Sequence, residues 1–357
     1  MKNYLKFLIL SFLKSFFYVF MIILSLVFIL NILTELEFFR DIDVDTIFPL
    51  YLSLLNSPSL IFEMFPFVFL LSTQVFFINL FNENQIQIFK YSGLKNINIV
   101  GILSSISILT GIFIILIFYN LSSNFKNVYI DLKNKYSSDD KYLAVITKNG
   151  LWIKDKIDGK INIINSSKID EKYLINTFIT QFDQNYNLLK NIHSEKIDIR
   201  NNEWIGYNAR VIENNQSIKS EQIILRSNFD YKKIQSLFSN LSSLSILELL
   251  DLLENYKTLN YSTTEVKLQI YKIFSYPIYL TLMTILSSII MFNTRMFKSS
   301  TFKISIGLFS SVLIYYLNNF FYVMGKTEKM SLIPSIFIPL TVLLVINMIF
   351  VYRINEK

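Results

Sequence analysis

The chain has 357 residues, of which 52% are hydrophobic and 33 are phenylalanine, and it carries a formal net charge of +7. That much apolar surface, with a mean hydropathy of +0.41, excludes an ordinary soluble domain and points to a bilayer. The absence of cysteine excludes disulfides, thiolate metal sites and cysteine nucleophiles, and without a basic stripe interleaved with aromatics the positive charge points to cytoplasmic loops and anionic headgroups, not nucleic acid.

Apolar runs of about 20 residues, the length that spans a bilayer core, occur at 15–33, 60–81, 97–119, 270–292, 304–323 and 332–352. The first is longer than a secretory h-region of roughly 7–15 residues and no small-residue cleavage site follows, so it reads as a retained helix. Basic residues orient the set. With the N-terminus in the cytoplasm, Lys2, Lys6, Lys14, Lys90, Lys95, Arg295, Lys298, Lys303, Arg353 and Lys357 lie inside. The short outer loops then hold Arg40, Lys326 and Lys329, together with the acids Glu35, Glu37, Asp41, Asp43, Asp45 and Glu328. Both termini are predicted to be cytoplasmic and residues 121–265 periplasmic.

The loop between the second and third spans reads FNENQIQIFKYSGLKN, residues 81–96. Ile86, Phe89 and Lys90 fall at i, i+3, i+4 and predict a short amphipathic helix on the inner face at about 82–93, which Gly93 ends in a left-handed C′ position. Two readings stay open for its apolar stripe: a lipid surface, or a groove on another protein.

Residues 121–265 are polar and contain no proline. Asn149-Gly150 and Asp158-Gly159 are hairpin signals because both central residues need positive φ. Further turns are expected at Asn201-Asn202 and Asn214-Asn215, giving an antiparallel sandwich or open barrel. Ser245 then caps a helix with Ile246, Leu249, Leu250 and Leu253 on one stripe, and Ser262-Thr263-Thr264-Glu265 is a capping box leading into the fourth span. The predicted fold class is a membrane α-helical bundle with an inserted all-β domain: spans one to three in 1–120, the β-domain in 121–265, spans four to six in 266–357.

Signatures of catalysis are missing. There is no P-loop, no G-x-S-x-G, and one histidine, His193, which reads as a surface residue. Asp41-x-Asp43-x-Asp45 lacks the glycine and distal glutamate of a calcium loop and reads as a solvated acidic segment. The spans are expected to hold almost no ionisable group. Their polar residues Thr73, Gln74, Asn79, Asn318, Asn319 and Asn347 suit interhelical hydrogen bonds. Such a chain is a poor proton- or sodium-driven transporter. No cofactor is expected on it, and energy for transport would come from a partner.

Four stretches together resemble the LptF/LptG family of lipopolysaccharide-export permeases: SPSLIFEMFPFVFLLSTQ (57–74), NENQIQIFKYSGLKN (82–96), NGLWIKD (149–155) and IYYLNNFFYVMGKTEKMSLIPSIFIP (314–339). The third and the start of the fourth look more like LptG than LptF. The resemblance implies an inner-membrane permease of an ABC transporter, with a periplasmic β-jellyroll between the third and fourth helices. It implies an LptF-like paralogue, an LptB-like ATPase dimer that uses ATP and Mg, and an LptC/LptA-like periplasmic bridge. It also implies that Glu83, Gln85, Ile86, Phe89, Lys90 and Gly93 couple to the ATPase. Gln85 stands where the family usually has glutamate, and Asn31 where LptG-like chains can carry a phosphate-binding lysine. For the lipid headgroup the candidates at the outer ends of the first and fifth helices are Asn31, Arg40, Asn318 and Asn319. Arg40 alone among them can pair bidentately with a phosphate. The alternatives are a permease of another lipid or lipoprotein ABC exporter, disfavoured by the three–domain–three order, and a membrane-anchored scaffold or sensor with a β-domain.

Overall fold

The computed structural model describes residues 3–136, 151–157, 159–170, 172–213, 216–231, 234, 240–258, 262–293 and 299–355. The chain divides into two compact units, Met1–Leu132 with Leu241–Leu249 and Thr264–Lys357, and Lys133–Asn240 with Leu250–Thr263.

The first unit is helical. Helix α1 spans Asn3–Phe38, α2 Ile47–Asn82, α3 Gln85–Tyr91 and α4 Asn96–Phe113, which runs through a π-helical stretch, Ile114–Tyr119, into α5, Asn120–Asn134. After the β-strands come α6 (Ile246–Thr258), α7 (Thr264–Phe292), α8 (Ser300–Lys326) and α9 (Leu332–Asn355). Among the described residues six helices are long and apolar enough to cross a membrane. Several outrun their apolar stretches. At 36 residues, α1 and α2 are each about 54 Å long, against a hydrocarbon core of about 30 Å. The third span likewise continues to Asn134, beyond the expected end at 119.

Burial ranks the helices. In its most apolar window α7 is 72% buried and α2 67%, whereas α1 is 22% and α8 11% buried. So α2 and α7 form the centre, and α1 and α8 turn apolar faces outward, with Phe17, Leu30, Phe309 and Tyr316 all more than half exposed.

Lipid does not drive apolar helices together, so the centre is held by close packing and hydrogen bonds. Pro66 inside α2 has no N–H to give the Phe62 carbonyl one turn earlier. The Tyr276 hydroxyl of α7 donates to that carbonyl, and its ring stacks on Phe62 at 4.7 Å. Gly111 of α4 lies so close to α7 that a Cβ there would sit 3.0 Å from the Pro277 Cα. Ser107 and Thr284 hydrogen-bond across the same pair at 2.9 Å, and Ser287 Oγ donates to the Leu70 carbonyl at 2.8 Å. Gln74 Nε2 donates to the Lys303 carbonyl and Asn347 Nδ2 to the Leu282 carbonyl, both at 2.9 Å. These are the interhelical bonds expected of Gln74 and Asn347; Thr73 instead bonds within its own helix, to the Phe69 carbonyl. Glu35, expected in an outer loop, is buried in α1 and accepts a 2.7 Å hydrogen bond from the Tyr129 hydroxyl of α5.

The second unit is built on one antiparallel sheet: β1 Leu151–Ile157, β2 Lys160–Asp170, β3 Tyr173–Phe182, β4 Leu188–Asp198, β5 Glu203–Glu213 and β6 Gln216–Arg226, each strand beside the next in sequence. Gly159, at φ +75°, turns β1 into β2 where Ile157 pairs with Lys160. Asn201 and Asn202 lie in the β4–β5 turn, as expected. The expected turns at Asn149-Gly150 and Asn214-Asn215, together with Asp158 and the inner bases Lys2, Arg295, Lys298 and Lys357, lie outside the described residues. One face of the sheet packs Leu151, Ile153, Ile164, Leu174, Ile179, Ile192, Ile197 and Trp204 with Phe229. The Trp204 indole donates to the Phe229 carbonyl at 2.7 Å. Asp155 is buried and accepts from the Ser227 hydroxyl, the Asn228 amide and the Asn228 side chain. His193 stacks on its cross-strand partner Phe178 at 4.3 Å between ring centres.

Candidate functional site

The α3 turn begins and ends on left-handed residues. Asn84, at φ +57°, breaks it from α2, and Gly93, at φ +82°, ends it. The Leu94 N–H reaches the Phe89 carbonyl and the Gly93 N–H the Lys90 carbonyl, the paired bonds of a Schellman C-cap. Gly93 therefore does what its position predicts. Ile86 is buried, and Phe89 is half-buried with its ring 6.1 Å from Phe7 of α1, so both anchor α3 to its own bundle. Ile88, 61% exposed, and Tyr91, 90% exposed, point away with the exposed Lys90 between them. Gln85 Nε2 donates to the Glu83 carboxylate, tying the neutral residue to its acidic neighbour.

Asn31 is committed to the α1–α2 seam. Its Nδ2 donates to the Ser53 carbonyl at 3.0 Å and its Oδ1 accepts from Asn56 Nδ2 at 3.1 Å, with the residue buried. Arg40 follows the end of α1, is exposed, and forms no ion pair among the described residues.

Asn318 and Asn319 line a cavity of about 230 Å³ between α2, α7, α8 and α9. Phe62 and Pro66 give it an apolar back, and Tyr276, Tyr279, Tyr315 and Tyr322 supply hydroxyls and ring faces. Asn318 lies beside the Tyr279 hydroxyl, yet its amide nitrogen is buried and completes no hydrogen bond among the described residues. Glu63 and Lys272 also line the cavity, which corrects the expectation that the spans hold almost no ionisable group. The signal for them is in the sequence: Glu63 is the one charge in 60–81, and Lys272 the one charge in 270–292. The Lys272 ammonium sits 5.5 Å above the Tyr322 ring. Near the same helix ends, Glu265 pairs with Lys326 at 3.3 Å.

In the second unit a groove of about 190 Å³ has Ile164, Ile179, Ile192 and Trp204 among its walls, and the bases Lys160, Lys190 and Arg226 also line it. Asn162, Gln181 and Ser227 join the three bases, so the groove presents a largely polar, cationic lining over a floor of buried isoleucine and tryptophan.

No curated protein matches the chain. The family model described as Lipopolysaccharide export system permease LptF/LptG matches residues 6–353. That match runs from the first span through the inserted sheet to the last span, and on it the chain belongs to the LptF/LptG family of lipopolysaccharide export permeases, multi-pass proteins of the inner membrane.

Proposed function

We propose that this chain is the LptG-like permease of an ABC transporter that takes lipopolysaccharide from the inner membrane and hands it to a periplasmic bridge for delivery to the outer membrane. The observation that carries the proposal is the family match over residues 6–353. Physical features agree with it. The chain has no P-loop, so ATP hydrolysis falls to an LptB-like ATPase dimer. The exposed face of α3, with Ile88, Lys90 and Tyr91, is the surface offered to that ATPase, while Ile86, Phe89 and Gly93 hold α3 in place. The excess of Lys and Arg in the short loops supports an orientation with α3 in the cytoplasm and the sheet in the periplasm.

The lightly buried helices α1 and α8 are the walls that meet an LptF-like paralogue and the acyl chains. A buried methylene contributes roughly 0.8 kcal/mol without needing a directional partner. Arg40 is the free guanidinium near one helix end. The groove beside Lys160, Lys190 and Arg226 is the next station, towards an LptC/LptA-like bridge. The test is affinity purification of the chain from native membranes in mild detergent. It should bring a paralogous permease and an ATPase with it; purification of the chain alone, at native expression and in several mild detergents, would refute the proposal.

A further inference from the structure

Lys303 lies in the first turn of α8 and is only 6% exposed, so it does not snorkel to the headgroups as a lysine near a span end ordinarily does. An ammonium is costly to bury, and the first turn of a helix, with its partial positive charge, is a poor place for it. Its own helix therefore does not account for it, but the neighbours do. The Lys303 ammonium donates to the Met291 carbonyl at 2.9 Å, one of the four terminal carbonyls of α7 that lack an intrahelical donor. It also sits 5.3 Å from the centre of the Phe81 ring in the last turn of α2. Phe292, the last residue of α7, meets Phe77 of α2 edge-on at 4.8 Å and closes the same corner. The main chain of Lys303 is used as well, since its carbonyl accepts from Gln74 Nε2 of α2 at 2.9 Å. One turn on, Gly307 leaves room for that amide, with which a Cβ would collide. Lys303 thus ties α8 to α7 through its side chain and to α2 through its main chain, and no carboxylate pairs with it among the described residues. The rest of α8 is held differently. Its most apolar window is largely open to the outside, and at its far end the Lys326–Glu265 pair is about half exposed on both sides, a contact that contributes little.

We propose that Lys303 is a positioning residue that hinges α8 to the inner ends of α2 and α7. A helix fixed at one end by a buried, directional contact and at the other by an exposed ion pair swings about the fixed end. That fixed end is also where α2 stops and Asn84 turns the chain into α3. A push on α3 therefore reaches α8 at this corner, while the outer end of α8 stays free to move. Apolar side chains could hold the corner as firmly, but without direction; the ammonium sets one register of α8 against the α7 terminus. The proposal rests on the export reading above, in which α3 meets the ATPase and α8 the acyl chains.

The test uses the full chain, which has no cysteine of its own. Spin labels on cysteines introduced at Asn82 and Ser300, both exposed, report the distance across the corner in nanodiscs by double electron–electron resonance. The unaltered corner should give one narrow distance. Lys303→Met, of similar length but without the donor, should split or broaden it at an unchanged melting temperature, and Lys303→Arg, which keeps a donor, should leave it narrow. In cells depleted of the native chain, Lys303→Met should slow delivery of pulse-labelled lipopolysaccharide to the outer membrane at least about threefold while still retaining the ATPase on purification, and Lys303→Arg should deliver at the native rate. Should Lys303→Met fail to reach the membrane, Gln74→Met removes the other half of the tie and should broaden the same distance. A narrow distance in the methionine variant, equal broadening by arginine, or export at the native rate despite a split distance overturns the proposal. A lower melting temperature with the distance unchanged reduces Lys303 to a structural contact and overturns it too. The distance measurement needs neither ATPase nor lipopolysaccharide, so its failure leaves the export reading standing, and a failed co-purification leaves the distance result standing.

Discussion

Pro66 sets a need at a single atom. Its ring leaves the Phe62 carbonyl without an intrahelical donor, and the Tyr276 hydroxyl fills the gap from α7. Tyr276→Phe should therefore cost about 1–3 kcal/mol of stability in detergent, the usual penalty for a buried acceptor left unpaired. Pro66→Ala restores an N–H at that turn, so the same tyrosine change in the Pro66→Ala background should cost clearly less. Equal costs in both backgrounds would show that the tyrosine contributes by packing alone. Asp198 in the sheet unit makes a second residue-scale case. The Arg200 side chain holds its carboxylate in bonds of 2.9 and 3.0 Å from Nε, and the Arg200 amide adds another. Those hydrogen bonds, helped by the nearby positive charge, keep the Asp198 carboxyl below the usual carboxylate range. A lowered native value means the stabilisation is complete above the unfolded-state value of about 3.9 and is lost as pH falls through the native value. Hydrogen exchange of the β4–β5 turn should accelerate as the pH falls below about 4, after correction for the intrinsic exchange rate, and Asp198→Asn should flatten that response.

At the scale of elements, α3 shows what a sequence does and does not disclose. Its end was legible because Gly93 suits a left-handed C′ position. Its outward face was not, because seven residues containing Ile86, Ile88, Phe89 and Tyr91 are apolar on both sides, and only the packing of Phe7 against Phe89 decides between them. Ile88→Ala with Tyr91→Ala should reduce ATPase retention at least tenfold, as for a pair of interface anchors, without loss of thermal stability. Phe89→Ala should lower stability and reduce retention only as far as α3 comes loose. The opposite ranking would return Phe89 to the partner's groove. The six spans were legible from apolar length alone, and the capping-box pattern at residues 262–265 located the start of α7. The extension of α1 and α2 beyond the lipid was not, since outside the bilayer a helix ends where caps and neighbours dictate. The cavity was half legible. Asn318 and Asn319 were singled out as polar residues near a helix end; Glu63 and Lys272 are each visible in the sequence as a span's lone charge, but that they line one cavity follows only from how the helices pack.

For the whole molecule, buried α2 and α7 make a stiff centre, outward α1 and α8 make apolar walls, and an inserted sheet carries its own groove and cations. Export of lipopolysaccharide by this chain can be followed in the living cell. The chain is depleted under a controllable promoter, new lipopolysaccharide is pulse-labelled, and the label is followed by separating inner from outer membrane. Labelled lipopolysaccharide should stay in the inner membrane as the chain disappears and reach the outer membrane again when the chain is restored. Arrival of the label in the outer membrane at an unchanged rate, with the chain gone, would contradict it.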